Sequence, residues 1–156
     1  MLATALAGGG EDSWQGLLAR AKERGEERAG AVAELRVKRL EGEPKGRDRT
    51  ALERQFEDSA KRETRRGQRE VLDLGLTLAA LSLRDLICLA EDAPEAALDP
   101  ERAEKLAAAA HGRDPRRLRE AAERCEEVRQ TLELNVTEEL ALGALSYRLA
   151  GLVGSA

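Results

Sequence analysis

Large apolar side chains other than leucine are scarce in this sequence: one Trp, one Tyr and one Phe make aromatics 2% of its 156 residues. A core built without them is thin and must come from Leu and Ala, which together supply 52 residues. Val and Ile total seven, too few to furnish strands, so no sheet is expected and the fold class is all-α. The two cysteines, Cys88 and Cys125, are far apart and outside any CxxC spacing, and His111 is the one histidine. No metal site is implied. Each cysteine falls on an apolar helical face and reads as a reduced packing residue. The charge-free run Leu74 to Leu83 falls well short of the ~20 residues that span a bilayer. The N-terminus has neither the basic start nor the apolar length of a secretion signal, so no membrane association and a cytoplasmic location are expected. Phosphate-loop, dinucleotide-loop, zinc-protease and serine-elbow motifs are all missing. Hence no catalytic residue, no cofactor and no small-molecule substrate is expected of this chain.

What the sequence does have is charge, on 36% of its residues, and one leucine-rich stretch from Gln68 to Asp92. On a 3.6-residue helix, Arg66, Glu70, Asp73, Thr77, Ala80, Arg84 and Glu91 share one narrow polar stripe. Leu72, Leu76, Ala79, Leu83 and Ile87 form one apolar face, and Leu74, Leu78, Leu81 and Leu89 another. A single neighbouring helix cannot cover both, so at least two partners are required. Asp85 lies in line with Leu78 and Leu81, where a dry face is expected. A carboxylate buried there needs a cation or N–H donors, supplied either within its own fold or across an interface.

The stretches around this helix carry their own punctuation. Residues 1–10, with three glycines, read as a ragged start or the remnant of a preceding domain. Residues 11–152 read as one helical domain, followed by a tail at 153–156. Within it, 11–41 is a first helical segment opened by Asp12 or Ser13, broken near Gly25 or Gly30 and anchored by Trp14. Residues 42–49, with Pro44, are a linker. Residues 50–92 are a long charged arm, opened by a Thr50/Glu53 capping box and running into the leucine-rich helix, with a bend at Gly67 or Gly75. Residues 99–152 are closing helices. Asp99-Pro100 and Asp114-Pro115 each place a capping acid before a proline at the first helical position. Ala103, Leu106, Ala107 and Ala110 face inward on the first, which ends at His111 with Gly112 turning left-handed. Leu118, Ala121, Ala122, Cys125, Val128 and Leu132 mark the second. Asn135 with Glu138, or Thr137 alone, caps the last, in which Leu140, Ala141, Ala144, Leu145, Leu149 and Leu152 are apolar. The total is five to six helices around a central leucine-rich one.

The net charge of −4 is unevenly spread, because Lys45 to Arg69 holds nine basic and five acidic residues. Lys61, Arg62, Arg65, Arg66 and Arg69 form a basic arm. A solvated or coiled-coil-like helix is the plainer reading of it, and a phosphate-contacting arm the sharper one.

The order of these pieces resembles the C-terminal region of the bacterial DNA polymerase III delta-prime subunit, from about Lys45 to Leu149. Those pieces are KRETRRGQRE, a leucine helix ending in LRDLICLA, DPERAEKLAAAA, PRRLREAAERCEEVRQTLELN and NVTEELALGALSYRL. The resemblance is firmest at Arg84-Asp85-Leu86 and at Asn135-Val136-Thr137 leading into the last helix, which carries Tyr147. Leu83 stands where that family usually has Trp or Tyr, and Thr137-Glu138 replaces its Asn-Pro. The resemblance implies a non-catalytic collar domain of the clamp loader. That assembly is ATP-driven, serves a DNA-directed DNA polymerase and opens the sliding clamp. Its partners would be the delta and gamma/tau subunits, met through helical domains equivalent to this one, with Arg84, Asp85, Asn135 and Tyr147 as interface or buried polar positions. Two readings from other classes stand beside it: a stand-alone homodimeric helical adaptor, and a nucleic-acid-binding module using the basic arm.

Overall fold

The computed structural model describes residues 14–41, 45–98, 100–134 and 136–153, the side chains of 100–102 excepted. Regular structure among them is helical throughout: α1 (Gln15–Leu40), α2 (Arg47–Ala90), α3 (Pro100–Ala110), α4 (Pro115–Thr131) and α5 (Glu138–Val153). Short 3-10 turns lie at Pro94–Ala96 and Leu132–Leu134. The all-α expectation holds, and the arm and leucine-rich helix are one continuous element of 44 residues. Neither Gly67 nor Gly75 interrupts α2, and neither Gly25 nor Gly30 interrupts α1. The described residues fall into two compact units, Leu18–Leu72 and a second containing residues 14–17 and 73–153.

The first unit is an antiparallel helical hairpin. Its seam is made of small residues, which lets two backbones approach closely but leaves little apolar area to bury. Ala21, Gly25 and Gly67 are buried, and Val32, Phe56, Ala60 and Thr64 are half-buried. Gly25 and Gly67 face the opposite helix in a reciprocal arrangement. A Cβ on Gly25 would lie 2.9 Å from the Thr64 carbonyl oxygen, and one on Gly67 would lie 2.8 Å from that of Arg24. Glycine in a helix interior costs about 1 kcal/mol relative to alanine, so both positions exchange intrinsic helicity for this closeness. At the connected end of the hairpin α2 begins at Arg47, earlier than the expected capping box. Thr50 is already helical and its hydroxyl donates to the Gly46 carbonyl at 3.2 Å. Glu53 pairs with Arg49 at 3.2 Å instead of reaching back to a cap.

The second unit is built on the C-terminal half of α2. Leu76, Ala79, Ser82, Leu83 and Leu86 are buried at steps of three and four, the spacing of one helical face. Ser82 is satisfied along its own helix, donating to the Leu78 carbonyl at 2.6 Å. The helix ends in a Schellman turn: the Ala93 N–H bonds the Cys88 carbonyl at 2.8 Å and the Asp92 N–H bonds that of Leu89 at 3.3 Å. Asp92 takes the left-handed position at φ 55°, where glycine is the usual occupant. α3 buries Ala103, Leu106 and Ala110, while Ala107 is exposed, contrary to the inward face expected of it. The α3–α4 turn forms as its residues suggest, with Gly112 at φ 72° and the Asp114 carboxylate accepting from the Arg116 N–H at 2.9 Å. Asp12, Ser13 and Asp99, the other expected caps, lie outside the described residues.

α4 and α5 pack on each other. Leu118, Ala121 and Cys125 of α4 are buried, as are Leu142, Leu145, Ser146, Leu149 and Val153 of α5. Two ion pairs hold α4 antiparallel to α2, Arg129 with Asp73 at 3.1 Å and Arg119 with Glu91. Arg129 also bonds Glu126 at 2.7 Å, which holds that carboxyl below its ordinary range.

Both cysteines are reduced. Burial pushes the Cys125 thiol up to about 12, whereas an unfolded thiol ionises near 8.5. A raised folded pKa contributes stability that is complete below the unfolded value and lost as pH climbs through the folded one. Between about pH 9 and 12 the folding constant should therefore fall, by up to about tenfold per pH unit from this group. Urea titrations at pH 8 and 10.5 should show Cys125→Ala flattening that decline. A thiol reagent at pH 8 should modify half-buried Cys88 in the native chain and reach Cys125 only in denaturant.

Candidate functional site

α2 has more apolar circumference than the second unit covers. Opposite the buried face, Leu74, Leu78 and Leu81 are 59%, 38% and 37% exposed. They stand one above another at four- and three-residue steps, the second apolar face expected from the sequence. Leu89, expected to continue it, is half-buried, as is Ile87 on the other face.

The next place along the stripe belongs to Asp85, which is 1% exposed. Its carboxylate accepts from the Leu98 backbone N–H at 3.1 Å, and the Arg84 guanidinium lies 3.9 Å away with its own side chain at the surface. Asp85 is therefore partnered within its own fold. It ties down the segment that follows the Pro94–Ala96 turn, and the exposed Leu98 side chain is thereby held near the end of the leucine stripe.

α5 shows a second surface of this kind. Its outer face carries Leu140, Gly143, Ala144 and Tyr147, all exposed, with Tyr147 at 84%. A Cβ added at Gly143 would meet nothing within 4 Å. A helix that is apolar on both sides ordinarily lies between two neighbours; α5 has α4 on one side. Asn135, at the head of this helix in sequence, lies outside the described residues. Its neighbour Thr137 accepts the Ala141 N–H at 3.0 Å through its backbone carbonyl.

The basic arm belongs to the hairpin unit. Lys61, Arg62, Arg65, Arg66 and Arg69 are all exposed. Arg66 bonds Glu70 at 3.4 Å and approaches Glu63 at 4.0 Å. Sequence reasoning missed the residue that organises this region, Arg28 of α1. It donates to Glu63 at 2.8 Å and to both oxygens of Glu70 at 3.0 and 2.8 Å. Its Nε is buried without a hydrogen-bond partner. Nothing in the local sequence distinguishes Arg28 from the other arginines of α1, because its role depends on hairpin register.

A cleft of about 330 Å³ between the ends of α3, α4 and α5 is lined by His111, Arg113, Asp114 and Arg117 among others. Its arginines serve as caps: Arg113 donates to the Ala109 and Val153 carbonyls, and Arg117 to that of Gly151. Among the described residues no group of three or more His, Cys, Asp or Glu is placed to hold a metal ion. None of the helices there is long and apolar enough to cross a membrane. Models of protein families, curated proteins and solved structures provide no match to the chain.

Proposed function

We propose that this chain is a non-catalytic helical assembly domain, of the collar type found in the clamp-loader delta-prime subunit. The observation that carries the reading is the row Leu74, Leu78 and Leu81, exposed along the face of α2 opposite its core. Single exposed leucines are common on protein surfaces, but three aligned along one helix face form a contiguous apolar row of the kind that marks an interaction surface. The collar form of the proposal adds the resemblance of the LRDLICLA and NVTEELALGALSYRL segments. Asp85 then shapes the docking face from beneath by fixing Leu98, and Tyr147 offers a broad contact on the outer side of α5.

Leu74→Glu tests this directly, at the most exposed position of the row, 59%. The side chain lies at the surface, so helix content and thermal midpoint should stay close to wild type, within about 0.5 kcal/mol. Association with delta and gamma/tau subunits, followed by sedimentation at micromolar concentration, should weaken at least tenfold. A wild-type chain that stays monomeric with every one of these subunits would sink the collar reading. Tight self-dimers disrupted by the same substitution would support the adaptor reading instead.

A further inference from the structure

We infer that the outer face of the hairpin's second helix is a binding surface for the phosphate backbone of duplex nucleic acid. The inference is independent of the assembly reading, since it concerns the other compact unit. On a straight helix Lys61, Arg62, Arg65, Arg66 and Arg69 fall within an arc of roughly 140°. The seam residues Phe56, Ala60, Thr64 and Gly67 fall on the opposite side. The hairpin register thus aims the cations away from α1, and all five are exposed.

Two acids of the same segment are drawn toward the seam. Glu63 and Glu70 lie outside the basic arc toward the seam, where Arg28 of α1 binds both at 2.8 Å. Between Lys61 and Arg69 the arc itself holds no carboxylate; Arg66, at its edge, bonds Glu70 at 3.4 Å and Asp58 stands one turn before Lys61 and Arg62, so the excess positive charge is centred on Lys61, Arg62 and Arg65. Residues 18–72 carry 16 basic and 12 acidic side chains, a net positive unit in a chain whose total is −4. That separation favours a polyanion on this unit over general stickiness of the whole chain.

The shape of the surface selects among polyanions. The basic rows extend about 12 Å along the axis, which matches about three phosphates of one strand. Phe56 is turned to the seam and half-buried, so the face lacks the stacking platform that single strands require. It also lacks a flanking row of large apolar side chains to insert among lipids. Paired strands, held by charge without base readout, are the occupant that fits.

The experiment is fluorescence anisotropy of the full chain with a labelled 20-base-pair duplex, from 50 to 200 mM salt. Wild type should bind with log K falling against log salt at a slope of about −3. The triple variant K61Q/R62Q/R65Q, checked for unchanged helix content, should lose at least tenfold in affinity and flatten the slope. The triple variant R20Q/K22Q/K38Q removes as much charge from exposed positions of α1 and should stay within about twofold to threefold. No binding at 50 mM salt overturns the inference, as do equal losses in the two variants. Equal affinity for a single strand, or for vesicles containing anionic lipid, overturns the choice of a duplex.

Discussion

Gly67→Ala is expected to loosen the hairpin, with faster hydrogen exchange along α1 from Ala21 to Val32 as its opening free energy falls by about 1–3 kcal/mol. The new methyl would sit 2.8 Å from the Arg24 carbonyl oxygen and 3.0 Å from the Arg28 Cδ. The first contact is backbone, so rotating a side chain cannot relieve it and the helices must separate. Separation in turn lengthens the Arg28 bonds to Glu63 and Glu70. Gly25→Ala, 2.9 Å from the Thr64 carbonyl oxygen, should act in the same direction. Gly30→Ala supplies the opposite sign. Nothing lies within 4 Å of its Cβ, so it should gain up to about 1 kcal/mol from improved helix propensity. If Gly67→Ala slowed exchange as Gly30→Ala should, the two backbones would not be in close approach. Gly75 is a milder case: its Cβ would strike Leu17 side-chain carbons at 2.6 and 2.7 Å, and those can rotate away.

Asp85→Ala should cost a comparable amount in the other unit. The substitution removes the part-buried bond from the Leu98 N–H, and a hydrogen bond to a charged group contributes about 1.5–3 kcal/mol. Asp85→Leu should be no better, because added apolar area does not replace an acceptor. Asp85→Asn keeps an oxygen within reach of Leu98 and should fall between them and wild type. Urea unfolding gives the size of the effect, and exchange at the Leu98 amide gives its location. Wild-type midpoints for both Asp85→Ala and Asp85→Leu would remove Asp85 from any part in shaping this surface.

Periodicity carried most of the fold because leucine and alanine mark helical faces so plainly here. The two apolar faces of α2, the Asp114 cap and the left-handed Gly112 were all legible, each set by residues within a few positions of one another. Boundaries and breaks were less so. Gly25 and Gly67 looked like interruptions, but the same missing side chain that weakens a helix lets two helices meet, and only register across the hairpin decides between these. Thr50 and Glu53 had the spacing of a capping box, yet the helix had already begun at Arg47. Asp85 was legible as an anomaly and not as a bond to Leu98, since its partner is 13 residues away across a turn. Arg28 gave no local signal at all.

Gly143 carries a consequence of its own. An alanine there would make α5 a better helix and would touch nothing among the described residues. A position that keeps the flexible residue without an internal use for it gives up monomer stability. It also leaves a notch beside Tyr147 into which another backbone can settle. Filling Gly143 would therefore harden the chain against heat while closing the face of α5 proposed here for assembly.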